Sequence, residues 1–111
     1  MADTNATNKG SPAMTDTVAA RELALFAIND GDLYRQQGQP IIANLKRKIA
    51  KGVYQPTLAL KLWGYLAESA AKKYVKEFGS TGDKWYQMFP PGTRSSAAMQ
   101  IANHYAEALK E

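Results

Sequence analysis

Basic side chains in the middle of the chain are the residues with the clearest chemical use. Residues 33–94 contain eleven basic residues against three acidic ones, whereas both ends are acidic and the whole chain has a net charge of +4. Such cations can neutralise the phosphates of a nucleic acid, with an affinity that falls steeply as salt rises. We expect eight of them to contact nucleic acid: Lys46, Arg47, Lys48, Lys51, Lys72, Lys73, Lys76 and Lys84. The alternative interpretation is a solvated basic face that only keeps the protein soluble.

Aromatic side chains follow the second group of lysines, in the segment KWYQMF. Trp85, Tyr86 and Phe89 are spread around a short helix, which cannot hide all three rings, so at least one is expected at the surface. Exposed rings stack on the bases of single strands or provide apolar contact with a protein. We therefore expect these three residues to contact a partner.

The run Gly79-Ser80-Thr81-Gly82-Asp83-Lys84 has some features of a phosphate-binding loop. A Walker A loop requires a preceding strand and a Gly-Lys-Ser/Thr ending, and a KH domain requires a sheet. No segment here shows the alternating pattern of a strand. The run is therefore interpreted as a helix end at Gly79, a turn at Gly82, and Asp83 as the N-cap of the next helix.

The composition gives little support to enzymatic or metal chemistry. The chain has no cysteine and a single histidine, His104, and its carboxylates are scattered. We therefore predict no enzyme, no cofactor and no metal site. No apolar run approaches the roughly 18 residues that span a bilayer, and the N-terminus is unlike a signal peptide, so no membrane partner is expected.

The hydrophobic pattern predicts an all-α protein, a compact single-domain bundle of about four main helices plus one or two short ones. Residues 1–14 are polar and without periodicity, which is typical of a disordered tail. The single helical domain is expected to cover residues 15–111. In the first helix, predicted from Thr17 to Asn29 with Asp16 or Thr15 as its cap, apolar side chains point in nearly every direction. Such a helix is either buried centrally or paired with another chain, which would permit a homo-oligomer.

Prolines and glycines predict most of the remaining helix ends. A short helix, DLYRQQ, is expected to stop near Gly38, and the next to run from Pro40 to a cap at Gly52. One longer helix from Asp32, kinked at Pro40, is the alternative. A long helix is expected over residues 56–78, with Trp63, Tyr74 and Phe78 in the core. The short helix should end at Pro90-Pro91, and Thr93 should cap the last helix.

Three stretches carry a resemblance to other proteins: GDLYRQQGQPIIANLKRK, GVYQPTLALKLWGYL and AKKYVKEFGSTGDKWYQMF. Through them, over roughly residues 22–105, the chain resembles a group of small proteins encoded by tailed bacteriophages. The resemblance implies a phage origin and, with it, the host cytoplasm or the virion as location. It implies no activity and no site residue.

These observations lead to two functional expectations. The first is a non-enzymatic phage accessory protein, a helical module that binds DNA or RNA through its basic middle. The second is a protein-interaction module, either a virion component or an inhibitor of a host or defence protein, whose partner is a host or phage protein.

Overall fold

The computed structural model of the protein describes residues 16–111. All regular secondary structure in this range is helical, which confirms the predicted all-α fold, with four main helices and one short helix when the continuous helix over residues 31–50 is counted as one. The predicted tail, residues 1–14, and the proposed cap Thr15 lie outside the described residues. The elements in chain order are α1 (Asp16–Asn29), α2 (Gly31–Leu33), a π-helical segment (Tyr34–Gly38), α3 (Gln39–Ala50), α4 (Pro56–Phe78), α5 (Trp85–Met88) and α6 (Pro91–Leu109).

The core forms where α1, α4 and α6 pack together. The side that α1 buries consists mainly of small residues, which allow a close approach to its neighbours. They are Ala19, Ala20, Leu23, Ala24 and Ala27. The larger Leu25 points outward and is 45% exposed, so of the two expected alternatives α1 is not a helix buried on all sides within this chain.

An aromatic stack joins α4, α6 and the π-helical segment. Trp63 is 1% exposed, and its ring stacks on that of Tyr105 with 5.1 Å between centroids. Tyr34 stacks on the same tyrosine at 6.2 Å. Burial and, to a lesser extent, the neighbouring Tyr34 raise the pKa of Tyr105 above its ordinary value. The stack thus fixes where the helix over residues 31–50 packs along α4 and α6.

The helix over residues 31–50 does not stop near Gly38, so the alternative of one longer helix is right. Its irregularity is the π-helical turn, in which the Gln39 N–H donates to the Tyr34 carbonyl, five residues earlier. Pro40 explains why an ordinary turn is unfavourable, since proline lacks an N–H and its ring clashes with the carbonyl four residues before it. Gly38 keeps the turn close to Tyr34, because a Cβ there would lie 3.1 Å from the tyrosine Cδ1.

Glycines end α3 and α4 as predicted, and for different reasons. Gly52 has φ of 74°, and the Val53 N–H beyond it donates to the Lys48 carbonyl at 2.9 Å, which is a Schellman-type end. Gly79 is extended, but a Cβ there would lie 2.5 Å from the Val75 carbonyl oxygen. Any larger residue at position 79 would therefore displace the end of α4.

Two predicted N-caps are wrong. Asp83 accepts a hydrogen bond from the Ser80 N–H at 2.6 Å and so closes the turn after α4, while Lys84 occupies the cap position of α5. Thr93 lies inside α6 and is 3% exposed, because that helix begins at Pro91. Proline suits the first helical position, where its fixed φ is already helical and no N–H is required.

Asp30 connects the start of α2 to α4. Its carboxylate accepts the Leu33 N–H at 3.0 Å, as an N-cap, and the Lys73 ammonium at 2.7 Å. The Gln37 side-chain amide donates to the Ser69 hydroxyl at 2.7 Å, so the 31–50 helix runs antiparallel to α4. The hydrogen bond from Lys73 and then the Leu33 N–H hold the pKa of Asp30 below 3.8, against the opposing effect of burial.

Replacing Asp30 separates its cap from its charge. Because the pKa of Asp30 is lowered in the folded state, its charge stabilises the protein fully above pH 3.8 and loses its effect as pH falls through the folded-state value. Asp30→Asn should therefore destabilise the protein at neutral pH and not at low pH. Asp30→Ala should lose about 1 kcal/mol more than Asp30→Asn at every pH, because asparagine still caps the helix. Urea unfolding of the wild type and both variants, from neutral pH to below pH 3.8, measures both differences in the free energy of unfolding. A difference between wild type and Asp30→Asn that persists unchanged in acid would contradict the assignment.

Candidate functional site

Three cations of α3 and the residue that caps its C-terminus form what we call the cationic strip: Lys46, Arg47, Lys48 and Lys51. Arg47 and Lys51 are exposed on the outer side of the helix, and the other two are half-buried on its flanks. Within residues 16–111, no salt bridge neutralises any of the four. The strip is therefore an accessible and uncompensated group of positive charges.

The cationic strip is electrostatically tolerable because it lies in the last turns of α3. Arg47 and Lys51, four residues apart, repel each other by about 0.2–0.5 kcal/mol. The negative end of the helix dipole offsets this, since it stabilises each nearby cation by about 0.3–1 kcal/mol. The fold can thus hold these charges together without acidic partners, and the charges remain available to an external anion.

The lysines of α4 have a different environment. Lys73 lies 2.7 Å from Asp30, 3.7 Å from Asp32 and 3.9 Å from Glu77. The hydrogen bond to Asp30 raises the pKa of Lys73, and its half-buried side chain is committed to the fold.

Lys72 is also engaged within the protein, whereas two other lysines are not. Its ammonium pairs with Glu68 at 3.2 Å and lies 5.1 Å from the centre of the Trp85 ring. Lys76 and Lys84 are exposed, and neither forms a salt bridge with another described residue. Of the predicted lysines outside the strip, these two are the ones left for a ligand.

The structure does not bring the two predicted groups of cations together. The end of α3 is joined to the start of α4 by residues 51–55, so the cationic strip lies near Pro56. Lys72 follows Pro56 by sixteen residues, which at 1.5 Å per residue places it about 24 Å along the helix. The eight cations therefore form two separate surfaces at opposite ends of α4.

The three predicted contact rings have three different environments. Phe89 is fully buried, with its ring 5.2 Å from that of Tyr74, so its predicted role in contacting a partner is wrong. Since the chain turns at Pro90 into α6, the residue before it is directed into the core. Tyr86 is 48% exposed, which confirms that one ring reaches the surface. Trp85 is half-buried, with the Arg94 guanidinium 4.8 Å from its ring centre.

Phe78 is a further correction, because it was expected in the core and is 64% exposed. The apolar face of α4 continues for one turn beyond the helices that cover it. The Phe78 ring lies 6.0 Å from that of Phe26, and Leu25 lies beside these two rings. We call Leu25, Phe26, Tyr74 and Phe78 the Phe78 patch.

A groove between α4 and α6 was not anticipated from the sequence. Its volume is about 450 Å³, and all the described residues that line it belong to these two helices. Its main apolar side chains are exposed: Leu60, Tyr65 and Met99. The signal that sequence reasoning missed is Gly64, a glycine in the middle of a 23-residue helix.

Gly64 has no role in the packing of the described residues, 16–111. A Cβ built there meets nothing within 4 Å, and its φ is not positive. A glycine in a helix interior costs about 1 kcal/mol relative to alanine. The fold therefore carries a local destabilisation at the groove floor that its own packing does not require.

Comparison with known proteins finds no matching family model and no similar curated protein or solved structure. Among the described helices, none is long and apolar enough to cross a bilayer.

The different burial of Phe89 and Tyr86 predicts different costs of truncation. Phe89→Ala should destabilise the protein by about 3–5 kcal/mol because it leaves a cavity beside Tyr74. Tyr86→Ala should change stability by less than about 0.5 kcal/mol. Thermal or urea unfolding of both variants measures this, and Phe89→Leu provides a milder version should the alanine variant not fold. Equal effects of the two alanine substitutions would contradict the placement of these rings.

Proposed function

We propose that the protein is a non-enzymatic module that binds nucleic acid through the cationic strip of α3. In this proposal Arg47 and Lys51, the two exposed members, contact phosphates directly, and Lys46 and Lys48 contribute from the flanks. The observation that carries the proposal is the contrast between the strip, which no described carboxylate neutralises, and Lys73, which three carboxylates surround.

The spacing of the strip suits a phosphate backbone. Arg47 and Lys51 follow one another after about one turn, so their charges lie about 6 Å apart along the helix axis. This is close to the distance between neighbouring phosphates in an extended strand. Binding of this kind is dominated by counterion release and has little sequence preference.

The aromatic end of the molecule supplies a second and smaller contact in this proposal. Tyr86 offers an exposed ring for stacking, with the exposed Lys84 two residues before it and Lys76 in the last turn of α4. Because Lys76 follows Pro56 by twenty residues, this end lies about 30 Å from the strip along α4, so one short oligonucleotide would not reach both. A longer strand running along the helix would.

The resemblance to small proteins of tailed bacteriophages supports a role as a phage accessory protein. In that role the protein acts in the host cytoplasm, where both phage and host nucleic acids are present. Packaging in the virion is the alternative location.

Charge reversal of the strip tests the proposal. Arg47→Glu/Lys51→Glu should weaken binding to a fluorescent oligonucleotide by at least about tenfold at low salt. It should also make the dependence of log K on log salt shallower by about 1.5, because two phosphate contacts are lost. Fluorescence anisotropy over a salt series, with single- and double-stranded DNA and RNA, measures both quantities.

The matched control is Arg21→Glu/Lys110→Glu, at two exposed positions outside the proposed contacts, which also lowers the net charge from +4 to zero. Lys110 lies at the end of α6 and pairs with Glu107 at 3.3 Å. This variant should retain most of the affinity, with unchanged helical circular dichroism in both double variants. If both variants bind like wild type, the strip does not contribute to binding and is not the site. If both bind equally weakly, net charge alone acts and the strip is again not the site.

A second candidate function, a protein-interaction module, is supported by the Phe78 patch. Phe78 and Leu25 are 64% and 45% exposed, and they extend the apolar face of α4 onto α1. Apolar side chains grouped in this way are typical of contacts between protein chains. Through Leu25 the patch includes an exposed part of α1, and a homo-oligomer would form through this part of the surface.

Self-association through this patch would be insensitive to salt, in contrast to nucleic-acid binding. Light scattering of the wild-type protein should then show a mass that rises with concentration at both low and high salt. Phe78→Ser should return it to a monomer without loss of stability, because the side chain is mostly solvated. A wild-type mass that stays monomeric at all concentrations would leave the patch for a different protein and exclude the homo-oligomer.

A further inference from the structure

Described helices cover the α4–α6 pair on two sides. On one side lies α1, which contacts both helices through its alanine-rich face, with Phe26 against Tyr74. On another lies the helix over residues 31–50, whose Tyr34 stacks on Tyr105. A further side is the α4–α6 groove, which no described residue outside these two helices lines. A helix placed there would pack on the pair where neither α1 nor the 31–50 helix does.

The floor of the groove is shaped for a close approach. Gly64 and Ala98 present almost no side chain, and the space above Gly64 is open for at least 4 Å. Small residues at a helix surface allow the backbone of a second helix to come near. A groove-facing glycine that weakens its own helix is explained if the contact it permits is made with another chain.

The walls of the groove are apolar and accessible. Leu60, Tyr65 and Met99 are 38%, 54% and 56% exposed, and they stand on both sides of the glycine. These side chains can receive apolar residues that recur at three- and four-residue spacing on a partner helix. The feature is therefore suited to the apolar face of an amphipathic helix.

The charges around the groove specify the other face of such a helix. Lys61 forms no salt bridge with another described residue. Arg94 donates to the Phe89 carbonyl at 2.7 Å and lies 4.8 Å from the Trp85 ring centre, but no described carboxylate neutralises its charge. The one acid in the lining, Glu68, is already paired with Lys72. The remaining charge at the rim is positive, and complements carboxylates.

From these four observations we infer that the α4–α6 groove docks an acidic amphipathic helix of a partner protein. The apolar face of that helix lies over Gly64 between Leu60 and Met99, and its flanking carboxylates pair with Lys61 and Arg94. This surface is separate from the cationic strip, so the inference does not depend on nucleic-acid binding.

Two synthetic peptides provide the probe. Both are fluorescein-labelled amphipathic helices with leucines at three- and four-residue spacing, and they differ in carrying either glutamates or lysines on the flanks. The glutamate peptide should bind the wild-type protein saturably, and the lysine peptide at least about tenfold more weakly. Raising the salt concentration should narrow this difference.

Variants of the protein locate the binding. Gly64→Leu should raise the midpoint of thermal unfolding, because leucine is the better helix former. It should nevertheless weaken binding of the glutamate peptide at least about tenfold, because the leucine side chain fills the floor of the groove. Leu60→Glu should also weaken binding of this peptide. Leu58→Glu is the matched control, since Leu58 is also exposed on α4, at 47%, but does not line the groove. Leu58→Glu and Arg47→Glu/Lys51→Glu should both bind like wild type.

The inference is overturned if Gly64→Leu keeps full affinity for the glutamate peptide, if the two peptides bind equally, or if neither peptide binds. Sedimentation that shows self-association lost in Gly64→Leu would assign the groove to a second copy of this chain. An oligonucleotide displaced by the same substitution would assign it to nucleic acid.

Discussion

The shared ring of Tyr105 is the contact on which the arrangement of the helices depends. Trp63 and Tyr34 both stack on it, so α4, α6 and the 31–50 helix meet at one buried point. Because Trp63 and Tyr105 are almost fully buried, their rings can pack without cavities or clashes in only a few relative positions of α4 and α6. The alanine-rich face of α1 then closes one side of that pair. The directions of the cationic strip and of the α4–α6 groove follow from this packing.

Charge is divided in the molecule between what holds the fold together and what faces outward. The lysine that crosses between helices, Lys73, is surrounded by carboxylates and keeps α2 against α4. The cations of the strip have no described carboxylate as a partner, and the negative end of the α3 dipole stabilises them. Apolar side chains show a similar division, since small residues fill the interface of α1 while Phe78, Leu60 and Met99 remain at the surface. The surfaces proposed for binding are those whose charges have no described ion-pair partner or whose apolar side chains no described helix covers.

The sequence predicted best those features that one residue type determines locally. Pro56 and Gly79 bound α4, and Gly52 ends α3, because each residue restricts its own backbone. The misses depend on distant contacts. The apolar period of α4 continues through Phe78, yet no described helix extends far enough to cover it. Phe89 belongs to an exposed-looking segment, yet the turn at Pro90 buries it. The groove was missed because the sequence does not show whether a glycine in the middle of a helix, such as Gly64, faces the core or an open surface.

The π-helical turn has a consequence for how the surface of α3 is encoded. Such a turn holds one residue more than an α-helical turn, and each residue of a helix advances the direction of its side chain by about 100°. Removing one residue from the segment would therefore leave a turn of ordinary α-helical length and keep the direction of Arg47 and Lys51. Removing one residue from the α-helical part before Arg47 would instead rotate both side chains by that angle about the axis of α3. The face on which the protein displays its charge is thus set by the number of residues that follow Tyr34–Gly38, and the π-helical turn is the part of this helix where the loss of one residue would leave the cationic strip in place.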